Sequence, residues 1–170
     1  MNESSLGKKA ERKIKEWLNN PSQGYCFYRI PDQMSGFYMS SNPCDFLCYK
    51  YPNLCWIESK TTIHDRWDFS QLTDVQRNSL YEFSQVDGVY GLVIVLFSTY
   101  KRAVILNIKD IVESGEKSIN IKKIDKWSIP YAEIQTIPSR KELLDYTGNL
   151  EDYIETLRRK FNEIVYTCES

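Results

Sequence analysis

Residues 43–60 read PCDFLCYKYPNLCWIESK. Two runs within it, CDFLCYK and LCWIESK, are rich in aromatic, aliphatic and sulfur side chains, and Tyr51-Pro52-Asn53 between them is turn chemistry. The pattern predicts a β-hairpin. If Tyr49 faces Leu54, partner numbers sum to 103 and Asp45 falls opposite Glu58. Residues facing each other across a ladder have Cβ atoms about 5 Å apart. Asp45, Leu47, Trp56, Glu58 and Lys60 then share one face, with Lys60 about 6–7 Å along the strand from Glu58. A slip of one residue would divide that set between two faces, so the register carries the reading.

Outward from the hairpin the chain alternates helical and strand patterns. Residues 4–19 predict a helix with Leu6, Ala10, Ile14, Trp17 and Leu18 in one stripe, stopped by Asn19-Asn20-Pro21. YCFYRI at 25–30 is a strand, followed by the polar loop 31–43. Residues 61–70 are read as a connection with Trp67 and Phe69 embedded. A helix over about 74–85 turns Leu72, Val75, Leu80 and Phe83 inward. Two strands, 89–97 and 101–108, are joined by Ser98-Thr99-Tyr100. Beyond them the pattern weakens: a helical turn at 109–114, a turn and short strand within SGEKSINIKKI, and irregular or extended chain at 127–138. After Gly148-Asn149, the stripe Leu150, Ile154, Leu157, Phe161 and Ile164 predicts a C-terminal helix.

A length of 170 residues suits one domain, 1–170, with a core over about 4–126 and a C-terminal extension over about 127–170. A hydrophobic content of 42 % excludes wholesale disorder. The longest apolar run, Gly91 to Phe97, is far short of the ~18 residues of a membrane span, so no membrane partner is expected. MNESSLGKKAERK has no apolar centre of the secretory kind, and five cysteines without a CxxC pair suit a reduced, cytoplasmic chain. A net charge of −1 gives no global attraction to nucleic acid. Yet Lys8, Lys9, Arg12, Lys13 and Lys15 crowd the first helix, and Lys101, Arg102, Lys109, Lys117, Lys122, Lys123 and Lys126 the second half. Such patches either bind phosphate locally or are ordinary solvated faces.

Two carboxylates about 5 Å apart repel, and each has a raised pKa unless a positive charge lies between them. A divalent cation resolves the conflict; Mg²⁺ takes carboxylate, water and phosphate oxygens together. A metal-bound water is acidified, and the metal takes up charge on a phosphoryl transition state. A lysine one step along can orient that water or neutralise phosphate. Asp45, Glu58 and Lys60 therefore point to metal-dependent phosphodiester cleavage. The bland alternative is a surface hairpin with a Glu58–Lys60 ion pair, worth at most a few tenths of a kcal/mol.

The order of GKKAERKIKEWL, YCFYRIP, PCDF, WIESKTT and LTDVQRNSLYEF resembles the PD-(D/E)xK nucleases, most closely their Holliday junction resolvases of the archaeal Hjc and bacterial RecU types. The likeness covers about residues 6–100, with GEKSI resembling the RecU type further on. It implies an α/β, restriction-endonuclease-like core: a mixed central β-sheet flanked by helices. It also implies a homodimer acting on branched or duplex DNA. By the same resemblance Glu11, Asp45, Glu58 and Ser59 hold Mg²⁺, with Mn²⁺ able to substitute; Lys60 assists the attacking water and Gln76 supports the site. The long stalk of the RecU type has no counterpart in the short stretch from Pro31 to Cys44.

Local readings compete with these roles. Glu11 could pair with Lys15 one turn on. Gln76 could close a capping box with Thr73, or serve the site, or both. Arg29, Thr61 and Thr62, like Lys8, Lys9 and Arg12, are candidates for phosphate contact, though strand and surface positions explain them as well. His64, the single histidine, with Cys44, Cys48 and Cys55 fits no common zinc spacing. The expected function is Mg²⁺-dependent endonucleolytic cleavage of DNA, most specifically resolution of four-way junctions in recombination and repair. The alternatives are a restriction-type or structure-specific nuclease of the same fold, and a non-catalytic DNA-binding module.

Overall fold

The computed structural model describes residues 7–8, 11–12, 14–15, 26–31, 42–127, 129 and 131–135. The predicted C-terminal helix and most of the loop before the hairpin lie outside them.

The decisive register holds. β2 (Phe46–Lys50) runs antiparallel to β3 (Asn53–Thr62), with Tyr49 opposite Leu54 and Phe46 opposite Ile57. The turn is Tyr51-Pro52, joined by a cis peptide bond. β1 (Cys26–Arg29) adds antiparallel to the outer edge of β2. Beyond β3 the chain forms β4 (Arg66–Asp68), a 3-10 turn and then α1 (Asp74–Phe83). It returns as β5 (Val89–Phe97), parallel to β3, and β6 (Arg102–Asn107), antiparallel to β5. α2 (Ile108–Glu113), β7 (Ser118–Asn120), a 3-10 segment (Ile121–Lys126) and β8 (Ala132–Gln135) complete the described elements.

The result is the expected mixed sheet flanked by helices, six strands in the order β1-β2-β3-β5-β6-β8. One expectation needs correction: residues 61–70 are not mere connection, because β4 pairs with β7 in a second, two-stranded sheet. Within the irregular or extended stretch 127–138, the extended part is β8, an edge strand of the main sheet.

Side-chain alternation sorts the core onto the two faces of the sheet. On one face, Val93, Val95, Val104 and Leu106 pack with Leu80, Ile108, Ile111 and the Trp67–Phe69 region. On the other, Phe46, Cys48, Cys55, Ile57, Leu92, Ile94 and Ile105 pack with Ile14. Residues 7–8, 11–12 and 14–15 are helical, so the predicted N-terminal helix is present where it is described. Each fully buried Leu, Ile or Phe contributes about 1.5–3 kcal/mol, and β5, buried from Gly91 to Phe97, is the sheet's centre.

Gly91 lets the helices approach that centre. A Cβ there would lie 2.6 Å from the Leu80 carbonyl oxygen and 2.6 Å from Ile108 Cγ2. The first contact is backbone and cannot swing aside. Gly91→Ala is therefore expected to cost about 1–3 kcal/mol, read as a lower urea midpoint in equilibrium unfolding; an unchanged midpoint would contradict this packing.

Candidate active site

Glu58 points from the middle of β3 onto the face covered by α1 and is only 2 % exposed. Its Oε1 is well occupied: Gln76 Nε2 donates to it at 2.7 Å and Lys60 Nζ lies 2.9 Å away. Oε2 is buried with no hydrogen-bond partner. Burial, then the nearby Asp45 carboxylate, push the Glu58 pKa up to about 7; Lys60 pulls it down and Glu11 pushes it up by a smaller amount.

Gln76 ties helix to strand. Thr73 caps α1, its hydroxyl accepting from Gln76 N–H at 3.2 Å, while Gln76 Oε1 accepts from Thr73 N–H at 3.1 Å. The same Oε1 accepts from Lys60 Nζ at 3.0 Å. Capping box and site contact, the two alternatives open in the sequence, are both present. Val75, expected inward, is exposed instead. The inward position belongs to Gln76, whose amide finds buried charged partners that reward it for being there.

Asp45 departs slightly from the simplest hairpin geometry. The β2–β3 ladder ends at Phe46, and Asp45 N–H donates to the Ile57 carbonyl instead of continuing the pairing. Its Oδ2 accepts from Ser59 N–H at 2.8 Å and from Ser59 Oγ at 2.6 Å. The carboxylate thus caps the strand edge where β2 has stopped. The sequence suggests Ser59 only as a ligand; its N–H and hydroxyl instead fix Asp45, a link that spacing does not reveal.

Glu11 does not take the local option of Lys15. Arg29 Nε and Nη2 both donate to its Oε2, at 3.1 and 2.7 Å, which joins the N-terminal helix to the end of β1. Arg29 is thereby placed on a carboxylate, a long-range pairing invisible in sequence spacing. Thr62 is buried and its hydroxyl accepts from His64 N–H at 3.1 Å, while Thr61 is half-buried. Lys8 and Arg12 are exposed on the N-terminal helix; Lys9 lies outside the described residues. Far along the chain, Lys122 pairs with Asp65 at 3.2 Å and lies over the Tyr100 ring.

Cys48 and Cys55 face each other within the far core, and Cys44 is buried beside Asp45 with its pKa pushed up to about 12 by burial. His64 is an exposed loop residue. Among the described residues no three His, Cys, Asp or Glu side chains are already gathered around one point. What does suit a cation is the donor set at Glu58: a buried carboxylate oxygen lacking any donor, an acid close enough to raise its pKa, and hard oxygen ligands of the kind Mg²⁺ prefers.

No helix among the described residues is long and apolar enough to cross a membrane. No protein-family model matches the chain, and no curated protein matches it. Among solved structures it is similar to Hjc, a Holliday junction resolvase of the archaeal hyperthermophile Archaeoglobus fulgidus. The identity is 19 %, over 71 % of this chain and 93 % of that one, with a TM-score of 0.49. Its mixed sheet with flanking helices, the Glu58-x-Lys60 pair on β3 and Asp45 just before β2 make up the α/β arrangement expected from the sequence.

Proposed function

We propose that the chain is a divalent-metal-dependent endodeoxyribonuclease whose substrate is branched DNA, with four-way-junction resolution as its most specific reading. The observation that carries this is the Glu58 carboxylate, buried, one oxygen without a donor, with Asp45 and Lys60 beside it. A purely structural carboxylate would be expected to have both oxygens satisfied, because an unpaired buried acceptor costs about 1–3 kcal/mol.

In this reading Asp45 and Glu58 hold Mg²⁺, and Glu11 contributes from the N-terminal helix. The metal supplies a more acidic water and charge neutralisation at phosphorus. Lys60, held by Gln76 and Glu58, keeps its ammonium at a fixed place against the phosphate. Ser59 holds Asp45 against the edge of β3 through two hydrogen bonds, so the acid does not have to be ordered when the substrate arrives. Fixed polar groups of this kind add to rate because no reorganisation is needed at the moment of reaction.

The test is cleavage of end-labelled four-way junction, linear duplex and single strand, each with Mg²⁺ and with chelator. Paired symmetrical nicks in the junction, dependent on metal, are the expected result. Cutting of linear duplex at a fixed sequence would move the assignment to a restriction-type nuclease. Binding of junction with no cleavage in Mg²⁺ or Mn²⁺ would overturn the enzymatic reading in favour of a binding module.

A further inference from the structure

The exposed large aromatic side chains of the described residues are gathered in one place. Tyr28, Tyr49 and Tyr51 are 57 %, 44 % and 82 % exposed, and they lie on β1, on β2 and in the turn that follows β2. The exposed aliphatic residues Ile63, Val75, Val86 and Val112 are instead dispersed over other elements.

Strand register sets two of these rings on the candidate site's own face. Tyr28 pairs with Leu47, and Leu47 with Trp56, two residues before Glu58 on β3. The alternate residues Phe27, Phe46 and Cys48 belong to the opposite core. Tyr49, two residues beyond Leu47, is then the diagonal neighbour of Tyr28, about 7–8 Å away. α1 reaches this face over β3, through Phe83 against Trp56 at 4.3 Å and Gln76 on Glu58. One and two strands further out, Tyr49 and Tyr28 remain open to solvent.

Tyr28 sits two strand spacings and one side-chain repeat from Glu58, about 12 Å, or three to four stacked nucleotides at about 3.4 Å each. Neither β1 nor β2 carries an acid, and the basic Arg29, on the opposite face from Tyr28, is engaged by Glu11. Flat rings without carboxylates among them suit the faces of nucleobases, which stack on tyrosine with little regard to sequence and keep the phenol hydroxyl wet. Paired bases inside a duplex have no free face to offer.

We propose that the open β1–β2 face binds unpaired nucleobases of the strand being cut, so that the site selects DNA with an unpaired stretch a few nucleotides from the scissile phosphate. This rests on the nuclease reading and moves its preferred substrate from the fully paired four-way junction to branched DNA that carries a single-stranded stretch.

The experiment measures binding of the full chain, in Ca²⁺ to restrain cleavage, to a short duplex carrying a single-stranded thymidine tail and to the blunt duplex. The tailed form should bind more tightly. The pair Tyr28→Ser with Tyr49→Ser should lower the tailed-to-blunt affinity ratio about tenfold or more, whereas Tyr28→Phe with Tyr49→Phe should retain it. The phenylalanine pair also guards against a folding artefact, since it keeps the rings. A 5-iodouracil in the tail should photocrosslink to Tyr28 or Tyr49. A ratio unmoved by the serine pair overturns the proposal while leaving cleavage, assayed in Mg²⁺, to stand by itself. Conversion of a dimer to a monomer by the serine pair overturns it too, because the face would then cover a second copy of this chain. Absence of both DNA binding and cleavage defeats it together with the nuclease reading.

Discussion

Asp45→Asn is expected to abolish cleavage, by about a thousandfold or more, while the protein still folds and still binds DNA. The magnitude follows from losing an anionic metal ligand, since metal stabilisation of the transition state is worth several kcal/mol and about 1.4 kcal/mol is a factor of ten. The fold should survive because both native bonds to the Asp45 carboxylate are accepted ones, from Ser59 N–H and Ser59 Oγ. An amide oxygen in the same place accepts both, though without the strength a charge adds. Removing the charge also relieves Glu58, whose pKa Asp45 helps to raise. Single-turnover cleavage beside a binding titration separates the effects; wild-type cleavage by the variant would refute the metal-ligand role.

The second large effect is on stability. Glu58 is shifted from an ordinary 4.5 to about 7 in the folded chain, burial being the main cause and Asp45 the next. A group with a raised native pKa binds its proton more tightly folded than unfolded. The metal-free protein should therefore be at its best, as far as this group is concerned, below about pH 4.5. It should lose stability as pH rises through about 7, by about 3 kcal/mol in all. Glu58→Gln should flatten that part of the profile. It should also raise stability at pH 8 by about 1–2 kcal/mol, because its NH₂ inherits the donor-free place of Oε2 and forfeits part of the gain. Urea unfolding in chelator from pH 5 to 8 measures both. A wild-type profile no steeper than that of Glu58→Gln would show that Glu58 is not a strained acid.

The hairpin was legible because its signals agree. Alternating side chains, a Tyr-Pro turn and a fixed partner sum all require the same register, and the structure pairs Tyr49 with Leu54 accordingly. β7 is the short strand expected within SGEKSINIKKI; β4 and β8 are harder to read, since strands of three or four residues are too short to show a period. Gln76 lies on the inward stripe between Leu72 and Leu80, where an amide is unexpected, and it is tolerated there because it is matched to Thr73, Lys60 and Glu58; Val75, expected inward too, is exposed. Thr73 is local and its capping box is readable in the sequence, but Lys60 and Glu58 are distant in the chain, as is Arg29 from Glu11. Local spacing proposed Lys15 for Glu11; the fold chose a partner eighteen residues away. The acid–acid–lysine set can be named from sequence because its members lie on or beside one hairpin, whereas Gln76, which holds Glu58 and Lys60, comes from α1.

The double engagement of Gln76 bears on how such a protein can drift. One amide oxygen both closes the opening turn of a helix and holds the Lys60 ammonium. A replacement at position 76 would thus weaken the helix start and the proposed site in a single step. Were the proposed cleavage lost in a lineage, Asp45 could give way to asparagine at little structural penalty, yet the glutamine would still be wanted for the cap.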